Sequence, residues 1–412
     1  MNIFECDNKK NNSITKLAYK SKSKNNCTLG MNQRNGWLLG FLLIPALVMG
    51  QRPEVEGMRY LDENRRPVYR ENIMIPDVGE YRVLKCDFHM HTVFSDGHVW
   101  PNVRNQEAWQ EGLDAYAITD HIEYTPHKED VKVSHNRGYE LLKESSEKNN
   151  LILVKGAEVT RNTPPGHFNA IYIEDASDYI ESRDASEDEA AVMKSAEQNA
   201  FIFWNHPGWK PGIAGSYEWI PFVDNLYQNK ALHGIEVING FGFHMKALDW
   251  CVDKGLTVMG TSDMHNLVAH EYDLSKDYVY RTMTLVMAKE RTAESIREAL
   301  DAGRTVAWAS KYLVGKEENV RALFTSCVKL MPVHYTEERK NGDKINYYEL
   351  RNNSDLYFEL DLKEGDTTRR VVLYPRSVQQ ITASEDTSSL IAEVTSTYVR
   401  SDRHLSVSFP LQ

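Results

Sequence analysis

His89 and His91 stand two residues apart in CDFHMHTVFSDGH, residues 86–98, at the end of a short apolar run, and Asp96 follows five residues later. Two imidazoles at i and i+2 on a strand point to the same face. Asp263 and His265 repeat that spacing at the end of LTVMGTSDMH. His121 ends AITDH, Glu158 ends ILVKGAE, His206 ends FIFWNH, and His167 follows PPG at the head of a further apolar run. Each alone has a bland explanation: a strand-end histidine is commonly structural, and an Asp before Gly is commonly a turn residue. Together they are harder to dismiss, because burying so many ionisable groups without partners costs several kcal/mol each, roughly. Divalent cations remove that cost, and imidazole with carboxylate and no thiolate suits Zn, Mn or Fe. Twelve of the 14 histidines fall between residues 89 and 270, about twice what even spreading would give.

The segments that carry these residues alternate. YRVLKCDFHMH, DAYAITDH, LILVKGAEV, HFNAIYI, AFIFWNH, GIEVIN, LTVMGTSDMH, RTMTLVMA and TVAWAS read as strands. NVRNQEAWQEG, NRGYELLKESSEKNN, EDEAAVMKSAEQN, HMKALDWCVDKG and TAESIREALDAG read as helices between them. Alternation of this kind means parallel β/α units, and about seven units over residues 80–312 fit a closed barrel better than an open sheet. Almost every candidate donor then lies at the carboxyl end of a strand, where barrel active sites are built. Residues 313–412 have a different texture. VRALFTSCVKL, KINYYELRN, LYFELDL, RRVVLYP and LSVSFPL are short, alternating and separated by turn signals such as NGD and KEGD, which predicts a small antiparallel β-domain. Residues 51–79 read as a linker.

The ordered set HMH…D, TDH, GAE, GHFN, NHPG and SDMH resembles the PHP family, named for polymerase and histidinol phosphatase, over roughly residues 80–310. The resemblance implies a distorted (β/α)7 barrel with two or three divalent ions, hydrolysing a phosphodiester or phosphomonoester by metal-activated hydroxide. It implies that His89, His91, Glu158 and Asp263 hold one ion. Glu158 would bridge to a second, completed by His167 and His206, and Asp96, His121 and His265 would hold a third. Asp263 and His265 are the expected catalytic pair, Asp263 as the proton shuttle, and Asp120 is expected to fix an imidazole. Arg161, Lys210 and His244 are candidates for holding substrate phosphate, with Arg137 beside them. Trp209 and the aromatic FGFH, residues 241–244, could line the pocket, whereas Trp204 reads as core. The β-rich tail is similar in general character to that of secreted PHP phosphodiesterases. Two rival functions stay open: an amidohydrolase-like enzyme cleaving a carboxylic ester or amide, and a non-catalytic metal-stabilised module.

Composition narrows the rest. The 412 residues are 41% hydrophobic and 26% charged, with a net charge of −11 and no basic cluster suited to a nucleic-acid duplex. A small phosphorylated substrate remains compatible, because bound cations reverse the local field. MNQRNGWLLGFLLIPALVMGQ, residues 31–51, reads as a secretory signal peptide that leaves no stable membrane span once cleaved, so residues 1–50 are expected to be removed and the protein exported to the periplasm or secreted. Met31 is a candidate start. Cys86, Cys251 and Cys327 would remain, too few for a disulfide framework.

Overall fold

The structure is a computed structural model that describes residues 68–276, 279–364 and 367–411. The expected signal peptide and most of the expected linker lie outside the described residues. Eleven strands come first: β1 Arg82–Asp87, β2 Ala115–Ile118, β3 Ile152–Thr160, β4 His167–Ile171, β5 Phe201–Trp204, β6 Gly234–Asn239, β7 Gly242–Phe243, β8 Thr257–Thr261, β9 Met283–Ala288, β10 Thr305–Ala309 and β11 Tyr312–Val314. The helices are α1 Pro101–Gln110, α2 Arg137–Lys148, α3 Asp188–Glu197, α4 Pro221–Gln228, α5 Met245–Lys254, α6 Val268–Glu271, α7 Ala293–Asp301 and α8 Glu317–Cys327. No helix among the described residues is long and apolar enough to cross a membrane.

These strands form one curled, mixed sheet in the order β11-β10-β9-β1-β2-β3-β4-β5-β6, with β7 and β8 both paired to β6. Helices cover the outside, so the strands are buried on both faces and read as continuous apolar runs: all four residues of β5 and all six of β9 are buried. The sheet is a distorted barrel, as expected, but not an all-parallel one. β4 runs antiparallel to β3 and β5, and β9 antiparallel to β1 and β10. The short loop 161–166 between β3 and β4 leaves no room for a crossover helix, so the chain reverses as a hairpin.

Side chains finish the barrel where the ladder does not. Thr284 Oγ1 of β9 accepts from Gly260 N and donates to Gly260 O, and Thr305 Oγ1 of β10 donates to Val258 O. Gly260 permits this approach, since a Cβ there would lie 2.7 Å from Ala307 Cβ and 2.8 Å from Met283 O.

The C-terminal strands are β12 Val328–Leu330, β13 Tyr335–Glu338, β14 Lys344–Asn352, β15 Phe358–Glu364, β16 Thr367–Leu373, β17 Val378–Ser384, β18 Ser389–Val394, β19 Thr397–Tyr398 and β20 Leu405–Pro410. All of them except β19 make two four-stranded antiparallel sheets, one of β12, β14, β13 and β17 and one of β16, β15, β18 and β20. Tyr348, Leu350 and Ile381 of the first sheet and Leu360, Leu390 and Leu405 of the second belong to one buried cluster.

The expectation of a strand over VRALFTSCVKL is corrected: Glu317–Cys327 is helical and only Val328–Leu330 is extended. Val320, Leu323, Phe324 and Cys327 recur at helical spacing and are all buried. Phe324 packs edge-on against Phe358, with ring centroids 5.1 Å apart, and so joins the helix to the sandwich. A second link is main-chain: β19 pairs in parallel with β11 and extends the barrel sheet.

Candidate metal centre

Strand ends and the loops behind them bring the donors together. The chain leaves β1 through His89 and His91 while His91 N donates to Met264 O and Asp263 N donates to His89 O. Those two bonds splice the HMH and SDMH segments side by side. Gly97 lets the following loop fold back on β1: a Cβ there would lie 2.6 Å from the His91 carbonyl carbon. Asp96 is thereby aimed inward. The buried Arg104 guanidinium of α1 donates to the carbonyls of His91, Met264 and Asn266 at 3.0, 2.9 and 2.7 Å, binding both segments from behind. His206 and Asp263 hold positive φ, 26° and 54°, a backbone that side chains rarely adopt and that tertiary packing must enforce.

All nine expected donors converge. His89, His91 and Glu158 form one group, and His89, His206 and Asp263 another. His121, Glu158 and His167 form a third, and His91, Asp96, His121 and His265 a fourth, with the donor atoms in each within 4.8 Å of one another. Asp263 Oδ1 is 3.1 Å from Nε2 of both His89 and His91, and those two nitrogens are 3.0 Å apart. Glu158 Oε1 is 3.1 Å from His167 Nδ1, and Asp96 Oδ1 is 3.2 Å from His265 Nε2. Glu158 Oε1 faces both His167 Nδ1 and His206 Nε2, at 3.1 and 3.7 Å, while His206 also sits with His89 and Asp263, and His167 with His121.

The donors fit a cation better than they fit one another. Glu158 Oε2 and Asp96 Oδ1 meet imidazole nitrogens, 2.6 Å from His121 Nδ1 and 3.2 Å from His265 Nε2, and His206 Nδ1 is buried without a hydrogen-bond partner among the described residues. A buried nitrogen left unpartnered is costly unless an ion or water meets it. Burial, then the neighbouring His265 and His121, push the His91 imidazole down to about 3, so it is neutral with a lone pair to offer. Burial opposes the Glu158 carboxylate, but His121, His89 and His167 outweigh it and hold the group well below the usual range. Asp263 is depressed likewise against burial, by His89, His91 and His206. Burial also opposes a charge on His121, yet Glu158 and Asp96 raise it to about 10. Imidazoles carrying protons beside ionised carboxylates mark places that a metal ion would take.

A further layer, not singled out from the sequence, fixes the donors. Glu236 of β6 is fully buried and takes four hydrogen bonds. His89 Nδ1 and Thr261 Oγ1 lie 2.6 Å from its Oε1, and His206 N and Asn239 Nδ2 lie 2.8 and 2.9 Å from its Oε2. Asn205 Nδ2 donates to Glu158 Oε1 at 2.8 Å and Asn239 Nδ2 to Asp263 Oδ2 at 3.2 Å. Asp120 reaches an imidazole only indirectly: its Oδ1 accepts from Ser95 Oγ, which lies 3.3 Å from His91 Nδ1.

A cavity of about 430 Å³ opens over the donors, walled by Tyr124, Arg183, Trp209 and Lys210 among others. A larger depression of about 760 Å³ lies beside α7, lined by Glu174, Glu294, Arg297 and Asp301 among others and by none of the nine donors. Lys210 and Trp209 are thus where a substrate would meet them. Four expectations are corrected. Arg161 borders the cavity, but its guanidinium is committed to Asp188, Glu123 and the carbonyls of Ser182 and Asp184. His244 lies outside the cavity wall, buried beside Tyr217 with Nδ1 accepting from Gly208 N. Arg137 pairs with Glu140 on the exposed face of α2. Of the FGFH aromatics, Phe241 packs at a tilt against Tyr272 and Phe243 edge-on against Tyr398, and neither lines the cavity. Trp204 is core, as expected, stacked on Trp250.

Comparison with known proteins matches this architecture. Residues 328–410 match the family model DUF5001, described as an Ig-like domain. No curated protein is matched. Among solved structures, a two-domain protein from Bacteroides vulgatus ATCC 8482, described as containing a predicted PHP-like metal-dependent phosphoesterase, is 41% identical. The match covers 83% of this chain and 99% of that one, with a TM-score of 0.76. A putative metal-dependent phosphoesterase from Bifidobacterium adolescentis is far more distant, at 16% identity and a TM-score of 0.36 over 53% of this chain and 96% of that one. With the two-domain match spanning nearly all of its relative, this chain belongs to the PHP-like metal-dependent phosphoesterases that carry a C-terminal Ig-like domain.

Proposed function

We propose that the chain hydrolyses a phosphomonoester or phosphodiester with two or three divalent ions, Zn, Mn or Fe, held by His89, His91, Asp96, His121, Glu158, His167, His206, Asp263 and His265. The observation that carries this is the convergence of those nine side chains in four overlapping groups beneath one cavity. When bound, the ions would supply Lewis acidity toward a phosphoryl oxygen and acidify water.

The chain's own residues do the rest. Glu236 accepts a hydrogen bond from His89 Nδ1, which keeps the proton there and leaves Nε2 facing the centre. Asn239 holds one oxygen of Asp263, whose carboxylate is 18% exposed at the cavity floor and so can pass a proton to solvent. His265 is aligned by its Nδ1 donating to Asp263 O, which leaves Nε2 toward Asp96. Lys210, on the cavity wall, supplies positive charge for a phosphate entering from solvent.

The test is metal analysis of purified protein together with hydrolysis of bis-p-nitrophenyl phosphate, p-nitrophenyl phosphate and p-nitrophenyl acetate. Metal-dependent turnover of a phosphoester, lost in Asp263→Asn and His89→Ala, is expected. Turnover of the acetate alone would favour the carboxylic ester or amide chemistry, and metal content without any turnover would favour a structural module. We propose action outside the cytoplasm on the strength of residues 31–51 alone.

A further inference from the structure

Two cations stand at the cavity mouth, each laid over an aromatic ring. The Arg183 guanidinium lies 5.3 Å from the centroid of Tyr124, and Lys210 Nζ lies 4.2 Å from the centroid of Trp209. All four residues wall the same cavity as the metal donors. The rings reach back to the centre by contact: Tyr124 meets His121 edge-on at 5.8 Å, and Trp209 meets His167 and His206 at 5.4 and 5.3 Å. Each cation therefore stands one ring removed from a donor, Arg183 next to His121 and Lys210 next to His167 and His206.

Neither cation has a carboxylate within ion-pairing distance among the described residues, although most arginines of this acid-rich chain do. Tyr124 and Trp209 are 43% and 45% exposed, large aromatic surfaces left in water at this one opening. A cation over a ring gains about 0.5–1 kcal/mol at an exposed site, enough to bias where it sits while its charge stays available. A phosphate at the donors would leave both cations to the part of the substrate that projects outward.

We infer that Arg183 and Lys210 form a pincer for a second anionic group, so that the preferred substrate is a phosphoester whose remaining portion carries its own phosphate or carboxylate. This rests on the phosphoester function proposed above and narrows it. Arg183 and Lys210 would set specificity and leave the reacting atoms to the donors beneath them.

Binding separates the two claims. Metal-loaded full chain is titrated calorimetrically with propylphosphonate, 3-phosphonopropionate and propane-1,3-bisphosphonate, and with the five-carbon members of the same series. These ligands share one phosphonate and differ in the far end. At least one bis-anionic ligand should bind about tenfold more tightly than its mono-anionic parent, the gain that one charge-assisted contact provides. The preferred far end identifies carboxylate or phosphate. Arg183→Ala and Lys210→Ala should each narrow that ratio, and the ratio should fall with added salt. Equal binding by all members, or an unchanged ratio in both variants, overturns the pincer and leaves the phosphoester function standing. Failure of every phosphonate to bind overturns both.

Discussion

Glu236→Gln is the sharpest perturbation of the centre that touches no donor directly. Glu236 accepts four hydrogen bonds on two oxygens, from His89 Nδ1 and Thr261 on one side and from His206 N and Asn239 on the other. Glutamine keeps the shape but turns one oxygen into a donor, which must face one of those two donor pairs. If it faces His89, the imidazole can answer only by moving its proton to Nε2, the nitrogen turned toward the centre, which removes a lone pair from the metal site. If it faces His206, a buried N–H loses its acceptor, at about 1–3 kcal/mol. Partners that orient a ligand typically account for 10–100-fold in metal affinity, about 1.4–2.7 kcal/mol. The assay is competition for Zn or Mn against a chromophoric chelator, using metal-stripped protein, with phosphoester turnover measured on the same samples. A Glu236→Gln variant that folds, binds metal within twofold of wild type and turns over normally would refute the claim that this carboxylate sets the imidazole tautomer.

Stripping metal should lower the melting temperature, because an ion that binds the folded donor cluster and not the unfolded chain stabilises the fold, and restoring Zn or Mn should reverse it in calorimetry. His244 is held neutral, pushed down to about 4 by burial and then by nearby His206. Its contribution is present above the unfolded value near 6.5 and is lost as pH falls through that range, by roughly 2 kcal/mol at pH 5. His244→Gln should therefore lose less stability than wild type between pH 7 and pH 5, in paired denaturant titrations. Phe324→Ala should cost about 3–5 kcal/mol, by cavity formation at the junction of α8 and the sandwich, measured by chemical denaturation; a cost under 1 kcal/mol would show that the junction is loosely packed.

The donors were legible in the sequence because most of them end an apolar run, and strand periodicity alone then fixes which face His89 and His91 share. Glu236 left a weaker trace: a single charge in the middle of GIEVIN, buried on all sides. Such a charge demands partners, but no local pattern says which residues supply them, and His89 lies 147 positions away. Asn205 and Asn239 were hidden for the same reason, as ordinary polar residues at strand ends. Arg161 was misjudged because its position after a strand says nothing of Asp188, which arrives from another segment. Strand direction was lost where two runs follow closely, as at β3 and β4, since apolar runs carry no polarity of their own. Helix α8 was misplaced because its apolar spacing merges without a break into the true strand beginning at Val328.

The pairing of Tyr312–Val314 with Thr397–Tyr398 makes the two halves of the chain poor candidates for separate cloning. A fragment ending before the sandwich would keep β11 as a bare, partly apolar edge, open to pairing with any other exposed strand. It would also leave the Phe243 ring without Tyr398. Expression of the barrel alone is thus a route to aggregates, and swapping the Ig-like portion between relatives should succeed only when residues 397–398 still match the strand they cover.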